Sequence, residues 1–363
     1  MKKFLALLLA MTMVFALAAC GATPETTAPE KTTETTGTTT GTTTETTGTT
    51  APEYTIKFAT GSTADLANPQ NVGTYKFEEL VEERSNGRIQ VECYINSTLG
   101  DVTTIVEQVQ MGAIEMCDVE NGTMANFVEE CALWNLPYLF TSLEEVHNIQ
   151  ASDIGQNIQA QFPEIGIKHL AFNDGGFRYF TNNAHEIATA ADFKGLKFRV
   201  MNDPLYVSMM EALGASATII AFAELYTALQ QGTVDGQENP LDLIYAQNYF
   251  EVQKYLSLSE HLYYPRQYMA NLAWFESLSQ EDQDLIAQAA IDACAYQNEY
   301  FVEYTAGMLD TLKEKGMIVT EFDKASASEA CKVVWDQAYE KIGGGDAAKG
   351  EEIVTRIANG EFR

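Results

Sequence analysis

The chain has 363 residues, and 51 aspartates and glutamates against 22 lysines and arginines give it a formal charge of −29. A charge this negative argues against binding to nucleic acid or to anionic membrane surfaces, since both require a positive protein face. It also means that an anionic ligand needs a local positive site, because the field of the whole molecule repels it.

The N-terminus has the features of an export signal that ends at a lipid-attachment cysteine. Two lysines precede an apolar run, Phe4 to Ala19, that is too short to be a comfortable membrane span. The run closes with Leu17-Ala18-Ala19-Cys20, which places small residues before a thiol. We interpret residues 1–19 as a lipoprotein signal peptide, with a plain secretory signal as the alternative. We predict that Cys20 is acylated and holds the chain on a lipid bilayer.

Residues 20–52 are predicted to form the lipidated cysteine and a disordered tether. The stretch is nearly all Thr, Glu, Gly and Pro and has no large apolar residue, so burial cannot offset the entropy lost on folding. Such a chain reaches on the order of 30 Å. The prediction is a lipid-anchored protein on the extracytoplasmic (extracellular or periplasmic) face of the cell membrane.

The residues that commonly act in catalysis or bind metals do not occur at the spacings of known catalytic or metal-binding motifs. The four histidines are scattered, and the sequence contains no nucleophile elbow, phosphate-binding loop or dinucleotide fingerprint. We therefore predict no enzyme activity, no metal and no cofactor. The cysteines beyond Cys20 show no CxxC pair and are odd in number, so most are expected to be small buried hydrophobes. They are Cys93, Cys117, Cys131, Cys294 and Cys331.

Strand and helix patterns alternate along the rest of the chain, which favours an α/β fold. In the first half the predicted elements are strands at 54–58, 88–95, 114–119 and 167–172, and helices at 70–84, 101–111 (capped by Asp101, closed by Gly112) and 143–161. In the second half they are strands at 195–200, 216–221 and 233–237, a helix capped by Asn202 and running through Leu213, and a helix at 223–231 closed by Gly232.

One segment of the first half is echoed in the second. Residues 108–115 (QVQMGAIE) resemble residues 228–235 (ALQQGTVD), and both read as a helix, a glycine stop and a buried strand. Both strands then run into a Glu-Asn pair, Glu120-Asn121 and Glu238-Asn239. The echo suggests two similar lobes with a cleft between them, since ligands bind beyond the carboxyl ends of such strands. Chance similarity is the alternative.

A long helix is predicted to begin at Ser279, which starts a capping box. Apolar spacing continues to Leu312, and Gly316 is the first strong stop, so the helix would be about 54 Å long and could span both lobes. A break near Gly307 would instead give two ordinary helices.

From Tyr54 to the C-terminus, the chain resembles the substrate-binding proteins of TRAP (tripartite ATP-independent periplasmic) transporters, the DctP-like family. The strongest stretches are 192–200 (DFKGLKFRV), 213–215 (LGA) and 224–240 (ELYTALQQGTVDGQENP).

The resemblance implies an α/β, two-lobed, periplasmic-binding-protein-like fold (type II-like), with a ligand cleft between the lobes and a long helix spanning both. The expected domains are 54–175 with 265–304 as lobe I, and 176–264 with 305–363 as lobe II. The implied partners are a small carboxylate and the small and large TRAP membrane subunits. We expect a monomer.

The resemblance also assigns site residues. Arg199 stands where the family clamps the ligand carboxylate, and an arginine fork suits that task. Arg178, after Gly175-Gly176, matches a second ligand-facing arginine. The remaining expected ligand contacts are the polar side chains Asn202, Asn239 and Glu120 and the apolar wall residue Phe222.

Two departures concern the ligand. Thr123 stands where sialic-acid-binding members have an arginine, and the signature at 68–71 also differs, so sialic acid is disfavoured. Sugar acids such as hexuronates, C4-dicarboxylates, and keto or aromatic acids stay open, with a lean to a sugar acid. A binding protein for an ABC importer or a sensor kinase, an enzyme on this scaffold, and a surface adhesin are the alternative functions.

Overall fold

The computed structural model describes residues 51–362, so the predicted signal peptide, Cys20 and nearly all of the tether lie outside the described residues. The strands of this range are β1 (Tyr54–Thr60), β2 (Ile89–Tyr94), β3 (Met116–Glu120), β4 (Ile167–Asn182), β5 (Lys197–Val200), β6 (Ser216–Ile219), β7 (Gly236–Pro240), β8 (Tyr255–Ser257), β9 (Tyr263–Asn271) and β10 (Ile318–Thr320). The helices are α1 (Pro69–Arg84), α2 (Val102–Gln110), α3 (Asn121–Met124), α4 (Leu143–Ala151), α5 (Asp153–Gln159), α6 (Pro204–Ala212), α7 (Leu225–Gln230), α8 (Leu241–Ala246), α9 (Leu272–Ser277), α10 (Gln280–Thr305), α11 (Met308–Glu314), α12 (Lys324–Ile342) and α13 (Ala347–Ala358).

Two sheets share the long strand β4. The first sheet has the order β2-β1-β3-β9-β4, and the second continues from β4 through β7 and β5 to β6. Strand β8 also pairs with β4, and β10 pairs with β8. The pairing of β4 with β9 shifts register between Asp174 and Phe177, where Gly176 has a φ of +78°. We call the parts built on these sheets the first and second lobes. The predicted two-lobed α/β fold is thus confirmed.

Aromatic side chains pack the interior of each lobe. In the first lobe the rings of Phe58 and Tyr268 are 4.8 Å apart. In the second lobe Phe180 lies 4.8 Å from Phe193 and stacks on His261 at 3.7 Å. Burial of such rings favours folding strongly, since each ring removes roughly 150–250 Å² from water.

Three N-cap residues were predicted from the sequence. Two of them cap their helices in the structure, and the third does not. Asp101 accepts from the backbone N–H of Thr104, and Ser279 accepts from that of Asp282. Asn202 is not the cap of α6, however. The cap is Asp203, whose side chain accepts from Leu205 N–H, because Pro204 begins the helix.

Two predicted helices are interrupted. The helix expected from Ser279 to Leu312 ends at Thr305, since Gly307 adopts a φ of +77° before α11 begins, so the break near that glycine is the correct alternative. The helix expected at 143–161 divides into α4 and α5, because Ser152 is extended and caps α5.

The C-terminal helices contact both lobes. Helix α12 packs on α6 of the second lobe and on a 3-10 turn at Glu129–Asn135 of the first, and Trp335 Nε1 donates to Pro137 O at 2.9 Å. The predicted division at residues 304 and 305 therefore stays a prediction.

Within residues 51–362, no helix is long and apolar enough to cross a membrane. All five cysteines of this range are unpaired, and four of them are buried, as predicted for small hydrophobes.

Candidate functional site

A cavity of about 470 Å³ opens between the two lobes. Its wall combines the ends of β1 and β3 and the start of α2 in the first lobe with β5, the β6–α7 connection and β7 in the second. The lining residues are Gly61, Ser62, Gln70, Ser97, Gly100, Asp101, Val102, Thr103, Glu120, Thr123, Arg199, Met201, Asn202, Ile219, Ile220, Ala221, Phe222, Ala223, Asn239, Leu243, Tyr264 and Arg266.

The echoed segments form corresponding parts of the two walls. Gly112 and Gly232 adopt φ values of +72° and +67°, and in each case the next residue's N–H closes the helix end at 2.9 Å. The strands that follow, β3 and β7, are buried throughout. One ends at Glu120 and the other carries Asn239, so the repeated unit delivers a polar side chain to each wall.

Arg199 is a buried cation that forms no ion pair with any residue of the described range 51–362. Its side chain lies on β5, it is 4% exposed, and Nε donates to Ile220 O at 2.8 Å. Among residues 51–362 no carboxylate lies within 4.0 Å of it, and Nη1 and Nη2 donate no hydrogen bond. Burial lowers the pKa of Arg199, as expected for a charge removed from water. An anion bound in the cavity would favour the charged form of Arg199 and so offset the cost of its burial.

Arg178, the second predicted arginine, lies behind the cavity wall. It is fully buried and forms an ion pair with Glu238, while Nη2 donates to Asn239 Oδ1 at 3.0 Å. Its guanidinium carbon lies 4.4 Å from the ring centre of Tyr264. Burial raises the pKa of Glu238, but Arg178 and His261 outweigh that effect and hold it below its usual value. Arg178 thus contacts two lining residues without itself lining the cavity.

Glu120 lines the cavity beside an arginine of the first lobe. Thr123 donates to Glu120 Oε1 at 2.6 Å, and Arg266 Nη1 lies 3.6 Å from Glu120 Oε2. The Thr123 hydroxyl therefore satisfies one of the two carboxylate oxygens of Glu120, namely Oε1. Arg266 Nε donates to Asp118 at 3.1 Å, and Nη2 donates to Thr60 Oγ1 at 3.1 Å.

The other predicted site residues all line the cavity. Asn239 uses its amide internally, since Nδ2 donates to Gln237 Oε1 and Oδ1 accepts from Arg178. Asn202 is exposed, and its carbonyl oxygen accepts from Asn126 Nδ2 of the first lobe at 2.7 Å. Phe222 is half-buried and supplies an apolar part of the cavity wall.

Two lining residues of β9, Tyr264 and Arg266, were not predicted from the sequence. The available signal was a charged residue inside a long strand run, because every residue of β9 is buried and a buried arginine requires partners. Tyr264 sits at the junction of the sheets, where a Cβ on Gly175 would collide with its ring and carbonyl. Its ring contacts the guanidinium groups of Arg178 and Arg266.

Comparison with known proteins identifies the class. The profile "Bacterial extracellular solute-binding protein, family 7", named DctP, matches residues 60–342. The chain belongs to this family, whose members are the extracytoplasmic substrate-binding receptors of TRAP transporters and not enzymes.

Curated relatives carry ligand names. The 2,3-diketo-L-gulonate-binding periplasmic protein YiaO of Escherichia coli (strain K12) is 32% identical over 271 residues, which cover 74% of this chain and 83% of that protein. The C4-dicarboxylate-binding periplasmic protein DctP of Rhodobacter capsulatus is 31% identical over 296 residues, which cover 80% of this chain and 86% of that protein.

Solved structures match the fold over most of the described chain. The sugar acid binding protein of Advenella mimigardefordensis in complex with galactonate is 32% identical, with a TM-score of 0.79, covering 85% of this chain and 98% of that one. A TRAP periplasmic solute-binding protein of Roseobacter denitrificans with bound β-D-glucuronate is 30% identical, with a TM-score of 0.78, covering 84% and 98%.

Proposed function

We propose that this chain is a lipid-anchored receptor that captures a small organic acid, either a sugar acid such as a hexuronate or a C4-dicarboxylate, for ion-gradient-driven uptake. The small and large TRAP membrane subunits would receive the ligand. The proposal rests on one observation about Arg199. This arginine is buried and lines the cavity, and no carboxylate of residues 51–362 lies within 4.0 Å of it.

The chemistry of Arg199 supports a carboxylate clamp. Its planar fork can donate two parallel hydrogen bonds to a carboxylate, and neither Nη1 nor Nη2 donates to another residue of the part of the chain that the structure describes. A charge-assisted hydrogen bond contributes about 1.5–3 kcal/mol net. Micromolar affinity requires about 8 kcal/mol, so further contacts must converge on the ligand.

The further contacts come from both lobes. Glu120 of the first lobe accepts hydrogen bonds, Asn202 of the second supplies an amide, and Phe222 covers an apolar face of the ligand. Asn239 Nδ2 donates to Gln237 Oε1 with one N–H, so among residues 51–362 its second N–H stays available to the ligand. Arg178 acts indirectly, by holding Asn239 and Tyr264. Because the wall is divided between lobes joined at β4, we propose that the lobes hinge together around the ligand.

A thermal-shift screen tests the clamp. Residues 53–363, which fall within one compact unit, would be unfolded, refolded to remove carried-over ligand, and screened against organic acids with neutral sugars as controls. Ligand at 100 times its dissociation constant stabilises by about 2.7 kcal/mol, which raises Tm by about 5–10 °C for a chain of this size.

Arg199→Met should abolish the shift for every acid that binds the wild type, whereas Lys197→Met, which removes an exposed cation from the same strand, should leave it intact. Acid binding that survives Arg199→Met contradicts the clamp. A response to neutral compounds alone contradicts the ligand class.

The proposed anchor is tested separately in cells. Replacing Cys20 with alanine should move the protein from the membrane fraction to the soluble extracytoplasmic fraction, since two or more acyl chains are what make such anchoring durable. Retention of the variant on the membrane would contradict lipid attachment at Cys20.

A further inference from the structure

Glu120 and Arg266 leave one acceptor and one donor open to the cavity. Both residues are 3% exposed, and both line the cavity. Glu120 Oε2 accepts no hydrogen bond and Arg266 Nη1 donates none among residues 51–362, although the other atoms of both groups are satisfied. Neither open atom is sealed from the cavity, unlike the buried atoms elsewhere in the described chain that lack partners.

The spacing of these two atoms suits a third atom between them. They are 3.6 Å apart, which is too long for a hydrogen bond. An oxygen placed about 2.8 Å from each atom would lie within ordinary hydrogen-bond distance of both. A hydroxyl group meets both needs at once, because it accepts from Arg266 and donates to Glu120.

The charges around this gap disfavour an ion in the same place. A carboxylate could accept from Arg266 but would lie against Glu120, and Arg266 is already compensated by Asp118 at 3.1 Å. An ammonium group could pair with Glu120 but would meet the guanidinium. A neutral hydroxyl avoids both repulsions, and leaving these buried groups unpaired would cost affinity.

We infer that Glu120 and Arg266 form a hydroxyl-binding subsite, so that the receptor selects hydroxylated monocarboxylates and rejects acids that carry a second carboxylate at this end. The inference rests on the proposed function, since it assumes that the first carboxylate occupies Arg199. The ligand then lies across the cleft, with its anionic end on the second lobe and a hydroxyl on the first.

Three probes with a six-carbon chain separate the possibilities. Galactonate carries one carboxylate and several hydroxyls, galactarate carries a carboxylate at each end, and hexanoate has no hydroxyl. Calorimetric titration of the refolded protein should give galactonate at least tenfold tighter binding than either of the others. Equal affinity for galactonate and galactarate would overturn the inference.

Glu120→Gln is the decisive variant. It keeps the size of the side chain and removes the negative charge, so the ratio of galactonate to galactarate affinity should fall at least tenfold, mostly through a gain for galactarate. Asp101→Asn is the matched control, because it removes a negative charge from the same cavity while an asparagine still caps α2. Its ratio should change less than threefold. Equal changes in the two variants would mean that overall cavity charge, and not the subsite, sets the preference.

Arg266→Lys tests the donor while keeping the charge beside Asp118. It should weaken galactonate more than hexanoate, since the lysine lacks the fixed fork that reaches both Asp118 and the hydroxyl. Proportional loss for both probes would overturn the donor role. If Arg199→Met abolishes acid binding while Glu120→Gln leaves the ratio unchanged, the clamp stands and the subsite fails. If no acid binds the wild type, both fail.

Discussion

The two walls of the cavity use the same chain unit but distribute charge differently. In the first lobe, Arg266 is shared between Asp118 and Glu120, so its charge is already balanced. In the second lobe, Glu238 pairs with Arg178 and His261, and no carboxylate of residues 51–362 lies within 4.0 Å of Arg199. An arginine therefore marks an anion site only where the surrounding carboxylates are already used. The second wall is suited to a carboxylate, and the first to neutral polar groups.

The largest expected effect concerns the stability of the two second-lobe arginines without ligand. Arg178→Met leaves Glu238 buried with only His261 beside it, which should lower the free energy of unfolding by about 3–5 kcal/mol. Arg199→Met removes a desolvated, unpaired cation, so it should leave the free energy of unfolding unchanged or raise it. Urea denaturation of the refolded proteins measures both.

Glu238→Gln provides the reciprocal variant. It should also destabilise, because Arg178 then becomes the unbalanced charge, and combining it with Arg178→Met should cost less than the sum of the single changes. Additive costs would show that the pair does not act as a unit. Equal losses in Arg178→Met and Arg199→Met would erase the distinction between a structural and a ligand-binding arginine.

This difference between the arginines is what the sequence could not supply. Residue patterns and the internal echo predicted two similar lobes, and the family resemblance implied that Arg199, Glu120 and Asn239 face the ligand. Partner choice depends on long-range pairing, since Arg178 meets Glu238 across antiparallel strands and Arg266 meets Asp118 from β9. No local pattern encodes which carboxylate an arginine will meet, so Arg178 was expected in the cavity wall and Arg266 was missed.

The helix ends also differ in how well the sequence predicted them. Caps made within a few residues, such as Asp101 on Thr104, followed from the sequence because donor and acceptor are neighbours. The end of α10 did not, since the apolar spacing continues past Gly307 and only the backbone conformation there stops the helix. The sequence was consistent both with one long helix and with a break near Gly307, and it did not discriminate between the two.

An intermediate effect is expected at Asp242, where the lobes meet. Asp242 of the second lobe accepts from Asn68 Nδ2 at 3.2 Å and from Gln70 Nε2 at 3.4 Å, both of the first lobe. Burial raises the pKa of Asp242 to about 6 despite these donors. Because the folded pKa exceeds the unfolded value of about 4, ionisation disfavours the fold, and stability should fall as pH rises from about 4 to about 6.

Asp242→Asn should remove part of that slope and stabilise the ligand-free protein at pH 7 by on the order of 1–3 kcal/mol. Melting temperatures between pH 4 and pH 8 measure it. Some slope should persist, since burial also raises the pKa values of Asp118 and Asp203 to about 6. A loss of stability at pH 7 in the variant would mean that the ionised carboxylate stabilises the contact between the lobes.

The smallest expected effect compares the echoed glycines directly. Gly112 and Gly232 both have positive φ, so an alanine at either position is strained whatever the space around it. A Cβ on Gly112 would lie in ordinary contact with Asn271 at 3.6 Å, and a Cβ on Gly232 would meet nothing within 4 Å. Each substitution should therefore cost about 1 kcal/mol, the penalty for a left-handed alanine.

The two costs should agree within about 0.5 kcal/mol by urea denaturation, because the helix ends share the same hydrogen bonds. Gly175→Ala is the contrasting control, since its Cβ would collide with the Tyr264 carbonyl, and its cost should exceed both. If Gly112→Ala cost several times more than Gly232→Ala, the two units would be alike in backbone shape but not in energetics. The two walls of the cavity would then differ in the stability of their echoed units as well as in charge, and the two units could not be treated as equivalent.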